Sequence, residues 1–250
     1  MAVAEATTVT LRVFRFKAGD TAPRRELHRV PRRPGMTVLD ALIWIRRHVD
    51  PTLTFRHSCL HASCGTCGMR INGREGLACV TPVDANARDP IDVEPLANQR
   101  VVSDLVVDAA EFYAHFGQVP RPLVRRSETA RAAKGEGRFR FEDCIECGLC
   151  TSACPIVATD RSYLGPATLA AGWRLVEEPR GVLLHGIWPL LDDPHGVWRC
   201  HSAWECSAVC PSAVDPAGSI MRLRRHLVGR RIAGVLGVGG PRRARNQRHG

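Results

Sequence analysis

The sequence predicts an α+β protein of two domains, strands with one helix first and helices second. Three observations predict it. Residues 7–16 alternate β-branched or apolar residues with polar ones, the period of a half-buried strand, and a helical apolar face follows at 38–49. Cysteines stand in three ordered sets, one in the first hundred residues and two in the last hundred or so. The 250 residues are enough for two ordinary domains, each with its own core.

In order along the chain, TTVTLRVFRF (7–16) reads as a strand, Ala18–Pro23 as a turn and Arg25–Val30 as the returning strand. Thr37 and Asp40 form a capping pair for a helix carrying Val38, Leu39, Leu42, Ile43, Ile45 and Val49 on one face, and Pro51 ends it. Asn72-Gly73 signals a hairpin. Ile91–Leu96 reads as the last strand of the domain, and 101–116 (VVSDLVVDAAEFYAHF) has helical spacing. Gly117–Arg138 is rich in prolines, glycines and basic residues and reads as a connection. Helices, or helix and loop, are expected at Pro166–Leu175 and Gly181–Leu191. The boundaries that follow are 1–110 and 139–228 for the domains, 111–138 for the linker and 229–250 for a Gly/Arg-rich tail.

Met1–Phe16 lacks a basic start followed by an apolar core, so no signal peptide is expected. Eleven cysteines, an odd number, in such a chain point to metal or catalysis rather than disulfides. The longest apolar runs, 181–191 and 232–240, are about half the ~20 residues a membrane span needs. The formal charge of +10 belongs to one end: nine of the 35 basic residues are arginines from Arg222 onward, where no acid occurs, which leaves 26 basic against 25 acidic residues before them.

Cys59, Cys64, Cys67 and Cys79 have the plant-type ferredoxin spacing for a [2Fe–2S] cluster, and with the strand, strand, helix order they predict a β-grasp domain. Gly65 and Gly68 would let backbone pass close to the sulfides. Cys59-Leu60-His61 also matches half of a Rieske pattern, but the second Cys–His half is missing, so His61 is expected outside the ligand set. Cys144, Cys147 and Cys150, then Cys154 with Pro155, are the bacterial-ferredoxin run, in which the cysteine before proline usually serves a different cluster. Cys200, Cys206 and Cys210 with Pro211 repeat it at the same offsets, with Ala203 where a cysteine should stand. Crossing the two runs puts Cys144, Cys147, Cys150 and Cys210 on a [4Fe–4S] cluster. It leaves Cys154, Cys200 and Cys206 for a site whose natural occupant is [3Fe–4S], or a [4Fe–4S] with water or another ligand at one corner. The second domain is thus expected to be a mostly α-helical, bacterial-type two-cluster ferredoxin domain. Zinc, the alternative for Cys-x-x-Cys, prefers two separated pairs.

The motifs FRHSC, CGTCGMRINGREGLAC, CIECGLCTSACP and CHSAWECSAVCP, spread over about residues 7 to 228, resemble the iron–sulfur subunit of succinate dehydrogenase and quinol:fumarate reductase. The resemblance implies a relay from FAD in a partner flavoprotein subunit through [2Fe–2S], [4Fe–4S] and [3Fe–4S] to quinone. It implies membrane anchor subunits as further partners, no nucleic acid, and a peripheral place at the cytoplasmic face of a bacterial plasma (inner) membrane. Pro155, His201 and Trp204 fall at positions that would border the quinone. Thr159 stands where ubiquinone-reducing relatives carry tryptophan, which favours menaquinone, and Leu60-His61 replaces the family's Arg-Glu. Succinate oxidation is the direction expected, with fumarate reduction as its reverse. Other readings are the iron–sulfur subunit of another flavin dehydrogenase or heterodisulfide-type reductase, a free-standing carrier, and a zinc protein using its tail on nucleic acid. For that tail the pattern predicts Ile220, Leu223 and Leu227 facing the domain, with Arg222, Arg224 and Arg225 spread outward toward anionic headgroups.

Overall fold

The structure, a computed structural model, describes residues 7–84, 89–119, 141–178 and 187–237. The first half holds β1 (Thr8–Arg15), β2 (Arg24–Pro31), α1 (Val38–His48), β3 (Gly68–Ile71), β4 (Arg74–Leu77) and β5 (Ile91–Glu94). The strands form one sheet in the order β2-β1-β5-β3-β4. β1 pairs antiparallel with β2 and parallel with β5, and β3 is antiparallel to both β4 and β5. The alternation in β1 buries Val9, Leu11 and Val13 against α1, which contributes Val38, Leu39, Ala41, Leu42 and Ile45 to the same core. Thr37 and Asp40 close a reciprocal capping box at its start. Val49 is exposed, because it is the C-cap and its backbone has left the helical conformation. Asn72 and Gly73, with φ of 51° and 80°, make the hairpin turn between β3 and β4.

The inward face of β1 ends in a charge. Arg15 is 1 % exposed and reaches Asp104, Glu26, Asp50 and Thr52, while Asp104, fully buried, also takes hydrogen bonds from the backbone of Phe16 and Thr54 and an ion pair from Lys17. Buried charges persist only when paired and hydrogen-bonded this fully.

Asp104 also explains a departure from expectation. Residues 101–116 are not one helix: β6 (Arg100–Ser103) and β7 (Val106–Asp108) form a hairpin turning at Asp104, and only α2 (Ala110–Phe116) is helical. The valine-rich run prefers a pleated surface, and the bonds at Asp104 hold the turn. β5 is the last strand of the five-stranded sheet in chain order, and it lies at the centre, between β1 and β3.

α2 carries Phe112 and Phe116 into a second core. Residues 120–138 of the expected connection lie outside the described residues. The second half contains α3 (Leu149–Ser152), α4 (Pro155–Thr159), α5 (Gly165–Glu177), α6 (Ile187–Leu191), α7 (Glu205–Ala208) and α8 (Pro216–Val235). α5 and α8 form its spine, with Leu169, Leu175, Ile220, Leu223 and Leu227 buried between them and α6. Each such side chain stabilises the fold by about 1.5–3 kcal/mol. A Cβ on Gly172 of α5 would lie 2.5 Å from Leu191 of α6, so that crossing depends on glycine. Of the expected element at Gly181–Leu191, residues 181–186 lie outside the described residues.

Candidate functional site

The first cysteine set sits where the sheet meets the surface. Cys67 ends the loop just before β3 and is buried, and Cys79 is buried in a short 3-10 turn after β4. Cys59 and Cys64 lie further out. Backbone N–H groups of Ser63 and Cys64 donate to the Cys59 sulfur, both at 3.3 Å, and that of Ala62 to Cys79 at 3.4 Å. Such donors favour thiolate: the backbone N–H of His61, then those of Cys64 and Ser63, hold the Cys59 thiol at about 7 against its desolvation. Burial pushes the Cys67 thiol up to about 12, and a bound metal would favour its thiolate. The His61 ring engages the Cys59 carbonyl through Nδ1 and stays on the exposed side of the loop. Gly65 has φ +72°, and a Cβ there would lie 2.6 Å from Cys147 Cβ. Its lack of a side chain thus admits the second half of the molecule.

In that half, Cys144, Cys147, Cys150 and Cys210 line one cavity of about 420 Å³, counting the part open to solvent, with Phe112, Leu149 and Pro211 among its apolar walls. Desolvation pushes the Cys147 thiol up to about 11 and Cys150 well above the usual range, each helped by the other thiols of the group. Among the described residues no three His, Cys, Asp or Glu groups converge on a single-ion site. Thiols spread around a volume fit a metal–sulfide cluster better than one zinc ion.

The repeat seen in the sequence is also a repeat of backbone. Two and four residues after Cys144 stand Glu146 and Gly148, with φ of 54° and 76°; two and four after Cys200 stand Ser202 and Trp204, with φ of 60° and 64°. A four-residue helix follows each, α3 and α7. Left-handed backbone suits glycine but strains a bulky residue by about 1–3 kcal/mol, so Trp204, 48 % exposed, is held against its preference.

Cys154, Cys200 and Cys206 form the third group. Burial raises Cys206 to about 12, with the thiols of Cys154 and Cys200 adding to the effect. Pro155, His201, Ala203 and Trp204 are all exposed beside it. Two residues not singled out in the sequence, Tyr163 and Asn98, and one expected to point outward, Arg224, serve these sites. Tyr163, 2 % exposed, faces Cys200, Cys154 and Cys206; burial and then those thiols push its phenol far up, which keeps its proton in place. Arg224 donates to the carbonyls of Cys200 (2.6 Å) and Val197 (2.8 Å), tying α8 to the loop. Asn98 donates to the carbonyls of Thr151, Ser152 and Cys154 at 2.9–3.0 Å, while Ser152 bridges Ala97 and Glu75. No spacing rule marks such residues, because their partners are far away in the chain.

A family model of the 2Fe-2S iron-sulfur cluster binding domain matches residues 10–114, and one of the 4Fe-4S dicluster domain matches residues 140–214. The chain is 38 % identical over 226 residues to the fumarate reductase iron-sulfur subunit of Mycobacterium tuberculosis, covering 86 % of this chain and 91 % of that one. It is 38 % identical over 207 residues to the succinate dehydrogenase iron-sulfur subunit of Paracoccus denitrificans, covering 78 % of each. Among solved structures, the fold resembles a chain of the Mycobacterium smegmatis Sdh1 complex in the apo form, with a TM-score of 0.78 at 24 % identity over 91 % of this chain and 98 % of that one. Two domain models in this order, and relatives matched along most of their length, place the chain: it belongs to the iron–sulfur subunits of the succinate dehydrogenase and fumarate reductase family, electron-transfer subunits of succinate:quinone oxidoreductases.

Proposed function

We propose that this chain connects a flavoprotein subunit carrying FAD to a quinone held with membrane anchor subunits, at the cytoplasmic face of a bacterial plasma membrane. Cys59, Cys64, Cys67 and Cys79 would hold a [2Fe–2S] cluster; Cys144, Cys147, Cys150 and Cys210 a [4Fe–4S]; and Cys154, Cys200 and Cys206 a [3Fe–4S]. Bound there, the clusters supply a chain of one-electron carriers. The protein's own part is to hold and shield them. Backbone N–H groups of residues 62–64 favour thiolate at the outermost site, and apolar walls around Cys150 and Cys154 limit water at the inner ones. The arrangement of four thiols from two motifs around a single cavity is the observation that carries this reading.

The quinone would meet the chain at Pro155, His201 and Trp204, where the three-thiol group lies under exposed side chains. His201 can donate a hydrogen bond or pass a proton there. No helix among the described residues is long and apolar enough to cross a membrane, which fits a peripheral subunit. Menaquinone is the quinone favoured by Thr159, and succinate oxidation the direction proposed. The M. tuberculosis relative is a fumarate reductase subunit, which favours the reverse direction as the second reading. The domain limits proposed remain 1–110, 111–138, 139–228 and 229–250.

Spectroscopy of the cluster-loaded protein tests the assignment. An oxidised [3Fe–4S] signal beside a reducible [2Fe–2S] is expected. Ala203→Cys should remove the former by completing a four-thiol site. Loaded protein lacking that signal would sink the role given to Ala203, and a purified complex without flavin would sink the partnership.

A further inference from the structure

The end of α8 exposes an apolar stripe. Its buried face, Ile220, Leu223 and Leu227, stops at Leu227. Beyond it two exposed cations lean back on indole rings: Arg230 lies over the Trp188 ring at 4.2 Å, and Arg231 lies over Trp198 at 4.7 Å and pairs with Asp192 at 2.6 Å. Arg224, expected to point outward, is committed to the Cys200 carbonyl. The apolar residues take the outside: Val228, Ile232, Val235 and Leu236 are 41 %, 53 %, 87 % and 68 % exposed. At spacings of four, seven and eight residues they form one stripe, roughly opposite the buried face, and exposed Arg225 lies at its near end.

We propose that this stripe is a second, direct membrane contact, a helix end lying in the headgroup region of an anionic bilayer. Charge complementarity selects that occupant over a protein groove. From Pro216 to the end of the chain there are nine arginines and no acid, and Arg242, Arg243, Arg245 and Arg248 follow the stripe after five residues. An apolar strip flanked only by cations is the composition of interfacial anchors, and juxtamembrane arginines draw on anionic lipid. The contact is independent of the electron-transfer reading, being carried by α8 and the arginines that follow it in the sequence.

Flotation of the purified, cluster-loaded full chain with phosphatidylcholine vesicles, with and without about one-third phosphatidylglycerol, tests it. Binding to the anionic vesicles at low salt, much weaker binding to neutral ones, and loss at high salt are expected. Ile232→Glu with Leu236→Glu should weaken partitioning by on the order of 100-fold. Glutamine at all four of Arg242, Arg243, Arg245 and Arg248 should weaken it roughly tenfold or more. The stripe residues are exposed, so unchanged cluster absorbance and melting temperature serve as the folding control. No binding by the parent chain overturns the proposal, as does a stripe variant that binds like the parent. So does a stripe variant that floats normally yet drops out of the assembled complex, which would make the stripe a protein contact. None of these results bears on the cluster signals.

Discussion

Cys59, Cys64 and Cys67 come from nine consecutive residues at the rim of a sheet, whereas Cys150 and Cys210, on one cavity, are sixty apart in the chain. The first group is shaped mainly by its own loop, whose N–H groups turn to sulfur. The second exists only when two motifs have met, and its half-buried thiols line a cavity walled by α3, α5 and the start of α8. A locally built site can be lost without the fold; a site built across the fold is part of what closes it, because its bonds offset the entropy of a long loop.

The largest expected break in this contrast comes from the ligands themselves. Cys210→Ser should remove iron from the cavity and unfold much of the helical half, since metal-site binding energy, ~10 kcal/mol in small structural sites, is folding energy. Cys59→Ser should empty only the outer site and leave that half intact. Iron per chain and thermal unfolding measure both, and equal melting shifts for the two variants would erase the distinction. Next in size is Gly65→Ala, which combines φ +72° with a 2.6 Å clash against Cys147 Cβ. It should cost about 2–5 kcal/mol in denaturant unfolding and push the two loops apart. Asn98→Ala, which strips donors from three carbonyls of the Cys150–Cys154 segment, should cost about 1–3 kcal/mol.

Acid gives the smallest effect and should reach the sheet half first. Burial raises Asp50, but hydrogen bonds from Thr52 and Arg15 outweigh it and hold the carboxyl at about 2. Asp104 is also depressed, its burial outweighed by Lys17, the Phe16 and Thr54 amides and Arg15. Both are depressed groups, so their contribution is full above the unfolded value of ~4 and is lost as pH falls from there toward about 2. Circular dichroism between those limits should show the sheet half loosening in step, and Asp50→Asn should flatten the change.

Much of the candidate site was legible because thiol spacing is a local signal. Thr37 with Asp40 and Asn72-Gly73 were legible for the same reason, each being completed within four residues. The hairpin at 100–108 was not, because Val102, Leu105, Val106 and Ala109 stand at helical offsets, and what decides is Arg15, far away in the chain. Among the arginines of α8 expected to face outward, Arg225 is exposed, but Arg224 was misjudged on similar grounds. A wheel places Arg224 beside the buried face, but only the fold shows the Cys200 carbonyl waiting there. Nor does any sequence rule say that Trp188 and Trp198 would stand under Arg230 and Arg231.

The meeting of Gly65 with Cys147 has a consequence for tolerance to change. Ligand loops of two different sites touch backbone to backbone there, and Asn98 and Ser152 lock the same seam. The spacing between those sites is therefore gauged by hard contact rather than by the tether between the halves. Residues 120–140 could be lengthened by several glycine and serine residues, and the magnetic coupling between the first and second sites should not move.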